Sequence, residues 1–219
     1  MSAKLCVIVG VGPSLGLAQG RRFGREGYRI ALVSRRAEAL PGYVATLEAQ
    51  GVPARGYAAN PADGRALAAA FSQLHDDLGP ADVLIYNAAI ARATQPSELN
   101  VDTLMYDLAV NVAGALASAQ QVIGYMRERG RGTIIFTGGG PAIDPNPQYA
   151  SLSVGKAALR NLAACLDREL GVEGLHVCTV TIDGFVRTGT RFDPDRVTEL
   201  YWDLHCQEPV EHRMELIYQ

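Results

Sequence analysis

The sequence predicts one α/β domain, a parallel sheet of about seven strands with helices on both faces. Three observations carry that expectation. Short apolar, β-branched runs such as Leu5–Val9 and Gly132–Thr137 read as strands buried on both faces, as in parallel sheets. Segments with helical apolar spacing alternate with such runs from end to end, the signature of a doubly wound sheet. The 219 residues suit a single domain with a full core, so no second domain is needed.

Residues 4–36 are the unit on which the rest depends. Leu5–Val9 reads as a strand, Gly10, Gly12 and Gly16 follow it, Leu17–Glu26 has a helical pattern ended by Gly27, and Tyr28–Val33 is a second strand. This is a βαβ unit with a right-handed crossover. Glycines in its first turn let the backbone approach a pyrophosphate, while the helix start turns unpaired N–H groups and its dipole toward the anion. A dinucleotide therefore fits on Gly10, Gly12, Ser14, Leu15 and Gly16. Ser14 suits a helix cap or a hydroxyl contact to phosphate. After the second strand, where a carboxylate would hold a ribose 2′-hydroxyl, the chain has Ser34, Arg35 and Arg36. A guanidinium fork matches a 2′-phosphate, so NADP is favoured over NAD.

The remaining elements continue the alternation. Helix 37–50, strand 53–58 and helix 63–78 come first, with Asp63 placed to cap the third helix. Strand 82–86 then runs into Asn87-Ala88-Ala89. Residues 97–129 hold a long helical pattern with a break expected near Asn100, and Asn111 inside it must either face outward or meet a specific partner. Strand 132–137 ends in Gly138-Gly139-Gly140, helix 148–171 contains Lys156, and strand 176–182 leads into Asp183-Gly184-Phe185-Val186-Arg187-Thr188. A helix at 194–206 and a strand at 214–218 use nearly all that follows, leaving little for a lid over the site.

Bulk composition bounds the function. The content is 48% hydrophobic and 20% charged, with a net charge of −3, which suits a globule acting on small molecules and offers nothing to nucleic acid. No run approaches the roughly 20 apolar residues of a membrane helix, and a cytoplasmic location is expected. Cys6, Cys165, Cys178 and Cys206 lack metal or redox spacing and read as buried thiols, and the four histidines show no metal spacing either. Only Lys4 and Lys156 are lysine among the 20 basic residues. In a chain that otherwise uses arginine for charge, a lysine inside a helix invites a specific role.

The turn Gly10-x-x-x-Ser14-x-Gly16 resembles the Gly-x-x-x-Gly-x-Gly turn of the short-chain dehydrogenase/reductase family, and the resemblance extends from Lys4 to Tyr218. It implies a Rossmann fold with strand order 3-2-1-4-5-6-7 and bound NADP. Asn60, Asn87, Ala88, Ala89, Gly184, Val186 and Thr188 would line the cofactor, and Lys156 would bind its ribose. It also implies a homodimer or homotetramer paired through the helices at 97–129 and 148–171, whose many alanines permit close approach. Asn111 would bend its helix and support a water beside the lysine.

The chemistry departs from that family. Lys156 aligns with its catalytic lysine, which puts the tyrosine position on Leu152 and the serine position, about thirteen residues earlier, on Gly139. Tyr149 is a substitute acid on the same helical face if the helix already runs there, about 10 Å further along the axis, or it packs over the pocket. Thr137, Ser151 and Ser153 offer weaker hydroxyls. Three functions stay open: an NADP-dependent oxidoreductase acting on a carbonyl or alcohol with a nonstandard site, a non-catalytic NADP(H)-binding protein, and a partner subunit for a catalytic relative.

Overall fold

The computed structural model describes residues 3–219. Seven strands form one sheet in the order β3-β2-β1-β4-β5-β6-β7, and every neighbouring pair is parallel. The strands are β1 (Leu5–Val9), β2 (Arg29–Ser34), β3 (Ala54–Ala58), β4 (Val83–Tyr86), β5 (Gly132–Thr137), β6 (Leu175–Ile182) and β7 (Glu215–Tyr218). β1, β4 and β6 are buried along their whole length, because helices cover both faces.

Alternation along β1 divides the core. Leu5, Val7 and Val9 face α3 (Gly64–Leu78), α5 (Gly114–Arg129) and α6 (Ala150–Leu170), while Cys6 and Ile8 face α1 (Leu15–Arg25), α2 (Leu40–Glu48) and α7 (Pro194–His205). Asp63 caps α3 as expected, its carboxylate accepting from the N–H groups of Arg65 and Ala66. Two of the four cysteines, Cys6 and Cys178, are buried; Cys165 and Cys206 are exposed, contrary to the expectation for that pair.

The long helical pattern is interrupted elsewhere than expected. Asn100 caps the start of α4 (Val101–Leu108), so 97–100 is not helical, and the interruption is a π-helical turn over Ala109–Ala113. Its cause is local. The Tyr86 hydroxyl donates to the Val110 carbonyl, and the Asn111 amide leaves the helix to bond the backbone of Ile90. A carbonyl and a side chain engaged from outside widen the turn, as such bulges require. The segment 37–50 opens with a 3-10 turn at Ala37–Ala39 before α2 begins.

Candidate functional site

The C-terminal ends of β1, β2 and β4–β6 open onto two adjoining hollows, where ligands bind in open α/β sheets. The first, of about 210 Å³, is lined by Gly10, Val11, Ser34, Arg35, Arg36, Pro61, Asn87, Ala88, Ala89, Ile90 and Val110. The second is a cleft of about 630 Å³ whose walls include Leu15, Ala91, Thr137 to Pro141, Leu152, Lys156 and Ile182 to Val186.

Close packing shapes the first hollow. Gly10 has φ +88°, and a Cβ there would overlap the backbone of Ala88. At Gly16 a Cβ would come within 2.8 Å of the Val11 Cα. Only glycine permits the first of these conformations without strain, so β1, the turn and α1 approach one another as a dinucleotide cradle needs. Ser14 precedes α1 but its side chain makes no capping bond, against the expected cap. Among the described residues no acceptor meets the backbone N–H groups of Ser14, Leu15 and Gly16, since the first bonds of this turn begin with Leu17 N–H to Gly12 O. Unpaired donors at a helix start attract an anion.

Asn87 fastens this turn to the sheet. Its amide donates to the Gly10 carbonyl at 3.0 Å and its oxygen accepts from the Thr137 hydroxyl at 3.0 Å. At the outer end of the hollow Arg35 and Arg36 are exposed. Arg36 donates to the Tyr43 hydroxyl, whereas Arg35 forms no ion pair or side-chain bond among the described residues. Guanidinium groups beside an anion-seeking helix start fit the phosphates of NADP, and Ser34, the last residue of β2 just before them, is buried.

The cleft is built by tertiary packing. Lys156, on the second turn of α6, is 7% exposed and donates from Nζ to the Thr137 carbonyl at 2.6 Å. Burial lowers it to about 8. Leu152, one helical turn earlier, projects into the same cleft. Gly139 has extended backbone, φ −168°, and a Cβ there would lie 3.6–3.7 Å from Pro141 Cδ and the Lys156 stem, an ordinary contact. Gly140 has no such room, because the Asp183 carboxylate occupies the place of its Cβ.

Three hydroxyls near the cleft are committed. Thr137 bonds Asn87 and the Tyr201 hydroxyl, Ser151 donates to the buried Asp107 carboxylate at 2.7 Å, and Ser153 is held by Asn146 and Tyr149 backbone groups. Tyr149 precedes α6 and pairs with Thr94 in an isolated bridge; it lines neither hollow. Asn111 has both amide atoms on Ile90, with Oδ1 accepting at 2.7 Å, so it props the loop that lines the first hollow. Asn60 spends its oxygen on Ala62 N–H and turns its amide toward Tyr106. Thr188 is exposed and outside both linings.

Sequence reasoning missed one wall altogether. Pro141, Asp144, Pro145, Asn146 and Pro147 form it, and the signal was three prolines within seven residues after a glycine triplet, a stiff loop by composition. α7 does not cover the cleft. It packs on α1, where Arg21 pairs with Asp195 and Arg22 with Glu199.

Comparison with known proteins agrees with this geometry. The chain is 27% identical over 208 residues, 95% of its length and 76% of the relative's, to a 2,3-dihydro-2,3-dihydroxybenzoate dehydrogenase of Bacillus subtilis. Its fold superposes with a TM-score of 0.89 on a metagenomic short-chain oxidoreductase solved with NADP, at 24% identity over 99% of this chain and 96% of the other. A variant actinorhodin polyketide ketoreductase solved with NADPH gives a TM-score of 0.92 at 22% identity, over 99% and 97%. The short chain dehydrogenase profile matches residues 4–194. A match over that span, carried on a seven-stranded sheet whose first turn is closed by Gly10 and Gly16, places the chain in the short-chain dehydrogenase family of oxidoreductases.

Proposed function

We propose that the protein binds NADP(H) along the two hollows and acts as an oxidoreductase on a small carbonyl or alcohol, through a site that departs from its family's. The observation that carries this reading is the row of unpaired N–H groups at Ser14, Leu15 and Gly16, with Arg35 lining the first hollow and Leu15 and Lys156 the second. When bound, the cofactor supplies or removes a hydride. The chain's residues do the rest: the turn and Arg35 hold the phosphates, Asn87 and Thr137 keep the turn against the sheet, and Lys156 offers N–H donors in the second hollow.

What supports a departure is the fate of the hydroxyls. Position 152 is a leucine in the cleft wall, position 139 has no side chain, and Thr137, Ser151 and Ser153 are bonded elsewhere. Without a positioned proton donor, reduction of a carbonyl loses about 10²–10⁴ in rate. This favours, as the second reading, a protein that holds NADP(H) with little or no turnover. Titration with NADPH and NADH, followed by an assay over a panel of ketones and aldehydes, separates the two. Tight NADPH binding with turnover supports the first, tight binding alone the second, and no preference for NADPH removes the NADP assignment.

The same reading includes self-association. α4 and α6 leave Val101 (70% exposed), Met105 (59%) and Val154 (50%) at the surface, and Val101 and Val154 border an apolar groove with Leu99 and Leu104. Two copies pairing through this face would bury it. Sedimentation should give a dimer or tetramer mass that Val154→Arg with Met105→Glu converts to monomer; a monomer in the unmodified protein removes this part of the proposal.

A further inference from the structure

Lys156 differs from an ordinary buried lysine in what surrounds it. Its one hydrogen bond goes to a carbonyl, which leaves its charge unopposed. The charged groups that share its cleft, Asp144 and Asp183, make no bond to it. Its neighbours on α6 and β5 include Leu152, Ser153 and Thr137, which carry no charge, and Arg160, one turn further on, whose guanidinium is paired with Glu215. The missing side chain at Gly139 leaves the Lys156 stem facing open space, since a Cβ there would lie 3.7 Å from its Cγ and Cε.

An amine desolvated in this way, with no anion to hold its proton, is a nucleophile at neutral pH. Burial lowers Lys156 to about 8, so at pH 7.5 about a quarter of it is neutral, on the order of two hundred times the fraction in a solvated lysine. Proline and leucine side chains make up much of the cleft wall around it.

We infer that Lys156 captures small aliphatic aldehydes and methyl ketones in the cleft as imines. The neutral Nζ adds to the carbonyl carbon, forming a C–N bond. The carbonyl oxygen then leaves as water, taking both amine protons, and a C=N bond remains with no change in oxidation state. The open mouth of the cleft admits the carbonyl compound and releases the water. This rests on the reading that the cleft is the place where a carbonyl compound binds, but it does not require the cofactor.

Butanal with sodium cyanoborohydride tests it, the reductant fixing any imine as a butyl amine that peptide mass mapping locates. The expected result is labelling of Lys156 about tenfold faster than of the surface Lys4, with a rate that rises through pH 8. Lys156→Arg should leave Lys4 labelling unchanged, and Gly139→Leu, which fills the approach, should slow labelling of Lys156. Labelling of Lys156 no faster than Lys4 overturns the inference, as does labelling that Gly139→Leu leaves untouched. Saturating NADP separates this from the parent reading. Protection of Lys156 supports both, whereas undiminished labelling leaves capture standing and removes the cofactor from Lys156.

Discussion

The two hollows lie side by side on one sheet edge and are built by opposite means. The first is made mostly of backbone: a turn that tolerates no Cβ at Gly10 or Gly16 and unpaired N–H groups at the start of α1, with Arg35 and Arg36 directly after β2. The second is made of side chains brought from β5, the proline loop, α6 and the end of β6. Backbone donors serve any dinucleotide, so little in the first hollow is free to vary. A cleft of side chains takes its shape from residues far apart in the chain, and Gly139, Leu152 and Asp183 stand in its wall.

The sharpest way to break this contrast is to place a hydroxyl at each of the two cleft positions where the proposed reading finds none. Gly139→Ser with Leu152→Tyr should raise NADPH-dependent ketone reduction by about 10²–10⁴. The backbone at 139 is extended with room for a side chain, and Leu152 already faces the cleft beside Lys156. Initial rates measure it. No gain in a folded, NADPH-binding double variant would show that the cleft has lost more than its two hydroxyls, while robust turnover in the unmodified protein would show that another group supplies the proton.

In the first hollow a single atom should be decisive. Gly10→Val forces a side chain into the Ala88 backbone at φ +88°, and should cost about 4 kcal/mol, a fall of roughly 10 °C in melting temperature together with loss of NADPH binding. Gly12→Ala, with nothing within 4 Å of its Cβ, should keep the fold. Equal melting curves for both variants would mean that the turn is not the tight element described.

Lys156 gives the second hollow a pH dependence. Its value is lowered to about 8 in the folded chain. Between about 8 and the ordinary lysine value near 10.5 the unfolded chain therefore holds a proton that the folded chain has shed, and stability rises with pH across that window. The contribution is about 2–3 kcal/mol. Denaturation of the unmodified protein and Lys156→Met at pH 7.5 and 10 should show the variant gaining at the lower pH and losing that advantage at the higher. A difference independent of pH would mean that the amine is solvated.

Arg35→Asp should have the smallest effect. Removing a charge-assisted contact to the 2′-phosphate should cost about 1.5–3 kcal/mol, roughly ten- to a hundredfold in NADPH affinity, with NADH little changed. Isothermal titration with both cofactors measures it, and unchanged NADPH affinity would assign the 2′-phosphate to Arg36 alone.

Some of this was legible from local pattern. The seven strands, the capping by Asp63 and the cofactor turn come from residues adjacent in the chain, where period and glycine spacing report directly on backbone geometry. Asn111 illustrates the limit. Its poor helix propensity signalled a specific partner, yet the partner is the backbone of Ile90, 21 residues away, and only the packing of α4 and α5 against that loop reveals it. Tyr149 was a reasonable substitute acid if the helix began before it. The helix begins at Ala150, and the tyrosine pairs with Thr94 instead.

By itself, then, the sequence determined the sheet and the tight glycine turn after β1, because each is written in spacings of a few residues. Only the tertiary structure decided that Thr137, Ser151 and Ser153 are already bonded, that a proline loop forms the far wall, that α7 packs on α1, and that Lys156 sits desolvated with its bond to a carbonyl. Those depend on which surfaces meet across the fold, since hydrogen-bond commitment and burial are set by neighbours distant in the chain.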